Sequence, residues 1–159
     1  MDIDLEDLKN LILLLEDQPT ISSEVERDMG RSFREKIFEK MLNSGETYGE
    51  ATGAPGMVSS TKNEDEFKDQ LNEIDNNLLE QVRIVSEGVH HYFKTGEIPP
   101  PYYAWRIAVI LRKIKEYELE ARFCMGFSKH FDRGVGGRYS KIAERIEKAL
   151  KLSEKYKHA

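Results

Sequence analysis

Residues 101–131, PYYAWRIAVILRKIKEYELEARFCMGFSKHF, contain the one Trp and the one Cys of the 159-residue chain and twice repeat apolar side chains at helical spacing. Tyr103, Ile107, Ile110, Leu111 and Ile114 share one face of a first helix, which Trp105 and Ala108 widen. Lys115–Glu116 is a tight polar corner. Tyr117, Ala121, Cys124, Phe127 and Phe131, with Phe123 alongside, then line one face of a return helix. Two amphipathic helices joined by so short a corner fold back on each other to hide both stripes from water. This hairpin predicts an all-α fold.

The pattern extends in both directions. Upstream, Pro99, Pro100 and Pro101 make a stiff extended link, and Gly96 stands as a helix stop just before it. Phe67, Leu71, Ile74, Leu78, Val82, Val85, Val89 and Phe93 recur at steps of four and three. They predict one long helix capped by Thr61, with Glu64, Asp65 and Glu66 at the positive end of its dipole. Asn43–Ser60, NSGETYGEATGAPGMVSS, has no apolar period and reads as a flexible loop.

Before the loop, Val25, Met29, Phe33, Ile37 and Met41 predict a helix over 23–43, widened by Phe38 and Leu42. Ser23 and Glu26 have the spacing of a capping box. Leu5, Leu8, Leu11, Ile12 and Leu15 predict a first helix over 4–16, with Asp4 as its N-cap and Pro19 beyond its end. Downstream, Asp132–Gly137 (DRGVGG) is a turn. Tyr139, Ile142, Ala143, Ile146, Ala149 and Leu150 define a last helix, expected to fray beyond Leu152. No alternating strand pattern is present. The expectation is a bundle of about five to six helices: an N-terminal pair over 1–43, a flexible loop over 44–60, and a long helix plus a C-terminal three-helix unit over 61–159, together one domain.

Composition bounds the function. No apolar run approaches the roughly 20 residues of a membrane span, and the acidic start MDIDLEDL is unlike a signal peptide. A single cysteine makes no internal disulfide and no cysteine-based zinc site. The expected location is cytoplasmic, with no membrane partner. Net charge is −5, but unevenly distributed: residues 1–101 hold 10 Lys and Arg against 22 Asp and Glu, and residues 102–159 hold 14 against 7. The two halves either neutralise each other or present a basic face to an acidic partner.

Trp105 and Ala121 stand at the spacing that tetratricopeptide repeats use for an aromatic in helix A and a small residue in helix B. Residues 101–131 therefore resemble a single tetratricopeptide-like hairpin. Val109 and Arg112 depart from that pattern, no proline closes the second helix, and no second copy follows. The resemblance implies a helical hairpin of the kind that holds peptides or partner proteins.

The candidate chemistry is sparse. Glu87 and His90 have the Glu-x-x-His spacing of helical di-metal sites, and His91 adjoins them, but a second such motif is missing. Their plain reading is a surface or boundary pair. Cys124 with His130 invites a nucleophile-and-base reading, yet the six-residue separation puts them on nearly opposite sides of a helix. Cys124 reads as a buried structural residue. The turn DRGVGGRYSK could cradle an anion but lacks the P-loop spacing. Arg106, Arg112, Arg122, Arg133, Arg138, Lys141 and Arg145 are the candidate partner or anion surface. No catalytic residue, metal ligand or cofactor is assigned, and the chain reads as non-enzymatic. The expectation is an interaction or adaptor module with a protein partner or self-association. The alternative is nucleic-acid binding through the basic C-terminal half.

Overall fold

Helical spacing becomes helix throughout the residues described by the computed structural model, which are 5–52, 77–132 and 137–157. Among them are helices α1 (Glu6–Asp17), α2 (Ser23–Ser44), α3 (Tyr48–Thr52), α4 (Leu78–Thr95), α5 (Pro101–Lys113), α6 (Tyr117–Phe131) and α7 (Arg138–Lys157), and no strand. The fold is an all-α helical bundle.

Its centre is built from α4, α5, α6 and α7, with α1 laid against α4 and α6. Phe123, Phe127 and Phe131 of α6 are fully buried with Leu111, Ile107 and Ile142 from the neighbouring helices. Each such side chain contributes roughly 1.5–3 kcal/mol by leaving water. Aromatic edges knit the layer: Tyr92 meets Phe131 edge-on at 4.9 Å, and Phe127 lies parallel to Tyr139 at 6.4 Å. Leu8, Leu11, Ile12 and Leu15 bury the expected face of α1. A Cβ on Gly126 would stand 3.0 Å from the Leu15 Cβ, so α1 and α6 approach closely because that position carries no side chain.

Several boundaries differ from the sequence expectations. The expected helix from Thr61 to Phe93 has a boundary at Asn77, whose backbone is extended (φ −98°, ψ 94°). Asn77 Oδ1 accepts from the Glu80 backbone N–H at 3.1 Å and starts α4 there; residues 61–76 lie outside the described residues. The N-cap of α2 is Ser22, accepting from Val25 N–H at 3.2 Å, not Ser23. Glu26, freed from the supposed capping box, accepts instead from the buried Tyr92 hydroxyl at 2.6 Å. The stretch expected to be a loop contains the short helix α3, and residues 53–60 lie outside the described residues.

Pro101 is the first residue of α5 rather than part of the link, a position where its missing N–H costs nothing. Leu5 rather than Asp4 precedes α1, and Asp4 is outside the described residues. The last helix continues to Lys157 instead of fraying after Leu152. Tyr156 packs on Tyr117 at 5.6 Å and Lys151 pairs with Glu147 at 3.0 Å, which support that extension.

Gly96 ends α4 as expected, in the left-handed region (φ 76°). A Cβ here would lie 2.6 Å from the Glu26 carbonyl oxygen of α2, so the crossing of α2 over the end of α4 requires glycine. Charges of the acidic and basic halves meet where α1 lies on α6. Arg122 of α6 forks onto Glu16 of α1 (3.1 and 2.8 Å), and Lys129 Nζ donates to the Glu16 and Gln18 carbonyls at the α1 C-terminus.

Candidate functional site

The six described cations of the candidate surface do not form one face. Arg112 of α5 and Arg145 of α7 converge on Glu120 of α6, which is 0% exposed. Arg112 Nε donates to Oε1 at 3.0 Å and Arg145 Nε to Oε2 at 2.9 Å, and Arg112 also reaches the Arg145 carbonyl at 3.3 Å. This three-helix ion cluster holds the C-terminal unit together and turns two cations inward. Arg122 is engaged by Glu16, whose carboxyl is held below the usual range by the hydrogen bond from Arg122. Arg133 lies outside the described residues.

Arg106, Arg138 and Lys141 remain, and the first two share an aromatic surface. Tyr102 and Trp105 stand one turn apart on α5, both half-buried, with ring centroids 6.4 Å apart. Arg138, the first residue of α7, lays its guanidinium over both rings, 5.1 Å from Tyr102 and 5.0 Å from Trp105. Buried Arg106 approaches the Trp105 ring at 5.7 Å. Tyr139 donates its hydroxyl to the Pro99 carbonyl at 2.8 Å, which pins the start of α7 to the proline link. Lys141, three residues beyond Arg138, is exposed. Sequence periodicity marked Trp105 as core; what it missed is that Tyr102 and Trp105 leave part of their faces for Arg138.

The other candidates are built into the scaffold. Burial pushes the Cys124 thiol up to about 12, with the nearby Glu120 charge adding to the shift. The thiol is fully buried among the apolar side chains of the core, so Cys124 packs as part of the scaffold. His130 is buried, and its Nε2 donates to the Leu15 carbonyl at 2.8 Å, which links α6 to α1. Burial likewise pushes the Tyr103 hydroxyl up to about 12, with Tyr102 adding to it.

Glu87 and His90 face a groove of about 470 Å³ between α1 and α4. Glu87 Oε1 accepts from Arg83 at 3.0 Å, and Arg83 also binds Glu80 on its other side. The hydrogen bond from Arg83 lowers the Glu80 pKa. His91 points elsewhere, with its Nε2 3.4 Å from Glu97 Oε2 and its ring edge-on to Phe33 at 5.3 Å. Among the described residues no group of three or more His, Cys, Asp or Glu is placed to hold a metal ion.

Comparison with protein-family models, curated proteins and solved structures finds no match. Among the described residues no helix is long and apolar enough to cross a membrane.

Proposed function

We propose that this chain is a non-catalytic helical interaction module, whose α5–α6 hairpin of tetratricopeptide-like form is the scaffold and whose Tyr102–Trp105–Arg138 surface is the contact. The observation that carries this reading is the stacked aromatic and guanidinium group at the start of α5 and α7. Tyr, Trp and Arg dominate binding hot spots because they offer large area with few rotors and a polar edge. Here the rings are fixed by α5 and the guanidinium is already stacked, so little side-chain freedom is lost on binding. With Lys141 beside it, the surface suits an acidic protein segment, from a different protein or from a second copy of this acidic chain.

The nucleic-acid alternative has less behind it. Arg112, Arg145 and Arg122 lie on Glu120 and Glu16, which removes them from any phosphate-tracking array. The reading is tested with a photo-crosslinking residue in place of Tyr102. The intact chain is expected to form a defined crosslink that is lost in Arg138→Glu and Lys141→Glu, both exposed positions. Light scattering separates self-association from a foreign partner. A crosslink indifferent to both charge reversals, or salt-sensitive retention on DNA instead, overturns it.

A further inference from the structure

We propose that α3 is a strap that opens on its own from the C-terminal half of α2 and is latched shut by Glu97. It shares no residue with the Tyr102–Trp105 surface. Its apolar seat is small. Ala51 of α3 and Ile37 of α2 are 3% and 6% exposed, and neither belongs to the central core. Among the described helices α3 packs on α2 alone. The rest of its hold among the described residues is polar: Tyr48 donates its hydroxyl to Glu97 Oε1 at 2.8 Å, and Lys40 Nζ donates to the Ala51 carbonyl at 3.3 Å. A segment with so few buried contacts opens at far lower cost than the bundle beneath it.

Glu97 is placed by the end of α4. Its backbone N–H donates to Thr95 Oγ1 at 3.2 Å, and that hydroxyl donates to the His91 carbonyl at 2.9 Å. While Oε1 takes Tyr48, Oε2 stands 3.4 Å from His91 Nε2, so one carboxylate joins α3 to α4. Burial, and then the Glu97 carboxylate, push the Tyr48 hydroxyl up, which keeps it a donor at neutral pH. The hinge is at Gly45, in the left-handed region (φ 74°), where a Cβ would meet nothing within 4 Å and the chain has room to turn. Thr47 caps α3 on itself, accepting from the Glu50 N–H at 3.2 Å and donating to Glu50 Oε1 at 2.9 Å, so the turn moves as a unit. Opening is expected to uncover Ile37, one turn before Lys40, beside Phe38 and Leu42, which are already 58% and 87% exposed. Positions 37, 38, 41 and 42 adjoin on one side of a helix, so the open form carries a continuous apolar face.

The test is iodoacetamide labelling of the full chain carrying Ile37→Cys, with helical content checked by circular dichroism and the buried Cys124 as internal control. Position 37 is expected to label roughly a hundredfold faster than Cys124, and about tenfold slower than the exposed position in a parallel Phe38→Cys chain. Glu97→Ala and Tyr48→Phe are each expected to speed position 37 by about fivefold and to leave Cys124 unchanged. Hydrogen exchange of the unsubstituted chain decides the matter if Ile37→Cys disturbs α2. There the Ala51 amide, which donates to the Thr47 carbonyl at 2.9 Å, is expected to exchange roughly a hundredfold faster than the α6 amides and to ignore low urea. Labelling of position 37 as slow as Cys124, as fast as Phe38→Cys, or indifferent to both latch variants overturns the proposal, as does Ala51 exchange no faster than that of α6.

Discussion

Helices α2 and α6 look alike as sequences and behave oppositely in the fold. Both repeat large apolar residues at helical spacing, Val25 to Leu42 in one and Tyr117 to Phe131 in the other. Helix α6 buries nine of its 15 residues, including Glu120 and His130, whereas α2 buries Gly30 and Ile37 alone among its 22. Phe38 is 58% and Leu42 87% exposed. The difference is in the neighbours. Helix α6 is enclosed by α1, α5 and α7, while among the described helices α2 rests on α3 and α4. Apolar periodicity therefore specifies a helix with a sticky face, and the fold decides whether that face is covered.

The sharpest way to break this contrast is at Cys124, in the middle of α6. With its thiol pushed up to about 12, Cys124 holds roughly a thousandfold less thiolate than an ordinary cysteine and is shielded besides. Iodoacetamide is expected to label it negligibly in the native chain and readily in urea. Fast native labelling would mean that α6 is not enclosed. Next comes Glu120→Ala, which removes the buried carboxylate that Arg112 and Arg145 share across three helices. It is expected to destabilise by about 3 kcal/mol or more in urea unfolding.

Gly96→Ala is expected to cost about 2 kcal/mol, because it adds left-handed strain to a clash with the Glu26 carbonyl. This substitution strikes the seat of α2, so a loss of the Tyr92–Glu26 contact, read in the Tyr92 ring signals, should accompany it. Glu16 reports the α1–α6 seam. Its folded pKa is depressed by Arg122, so its contribution is present above the ordinary carboxylate pKa and is lost as the pH falls through the lower folded value. Glu16→Gln should flatten the acid limb of the stability profile by less than about 1 kcal/mol, since the pair is a third exposed and screened. Phe38→Lys and Leu42→Lys complete the series, each expected within about 0.5 kcal/mol of the parent. A large loss there would mean that the α2 stripe is covered after all.

Of the candidate site, the sequence makes the cations Arg106, Arg138 and Lys141 legible, but neither Tyr102 nor the stacking of Arg138 on the rings. Spacing places Arg138 at a helix start, where it could meet an anion, and the fold adds its stacking on Tyr102 and Trp105. Arg112 and Arg145, 33 positions apart, look like surface cations in the sequence because nothing local shows that Glu120 is buried between them. Spacing alone pairs Glu87 with His90; their position beside α1 adds the groove.

The sequence by itself determined that the chain is helical, that residues 101–131 are a hairpin, and that α4 stops at Gly96. Those properties depend on side-chain period and backbone freedom within a few residues. Only the tertiary structure decided which stripe is covered, which cations are held by buried Glu120 and which by surface Glu16, and where a groove is left open. Those outcomes depend on faces from distant segments meeting, and a carboxylate shows its buried role only when its counterions arrive from two other helices.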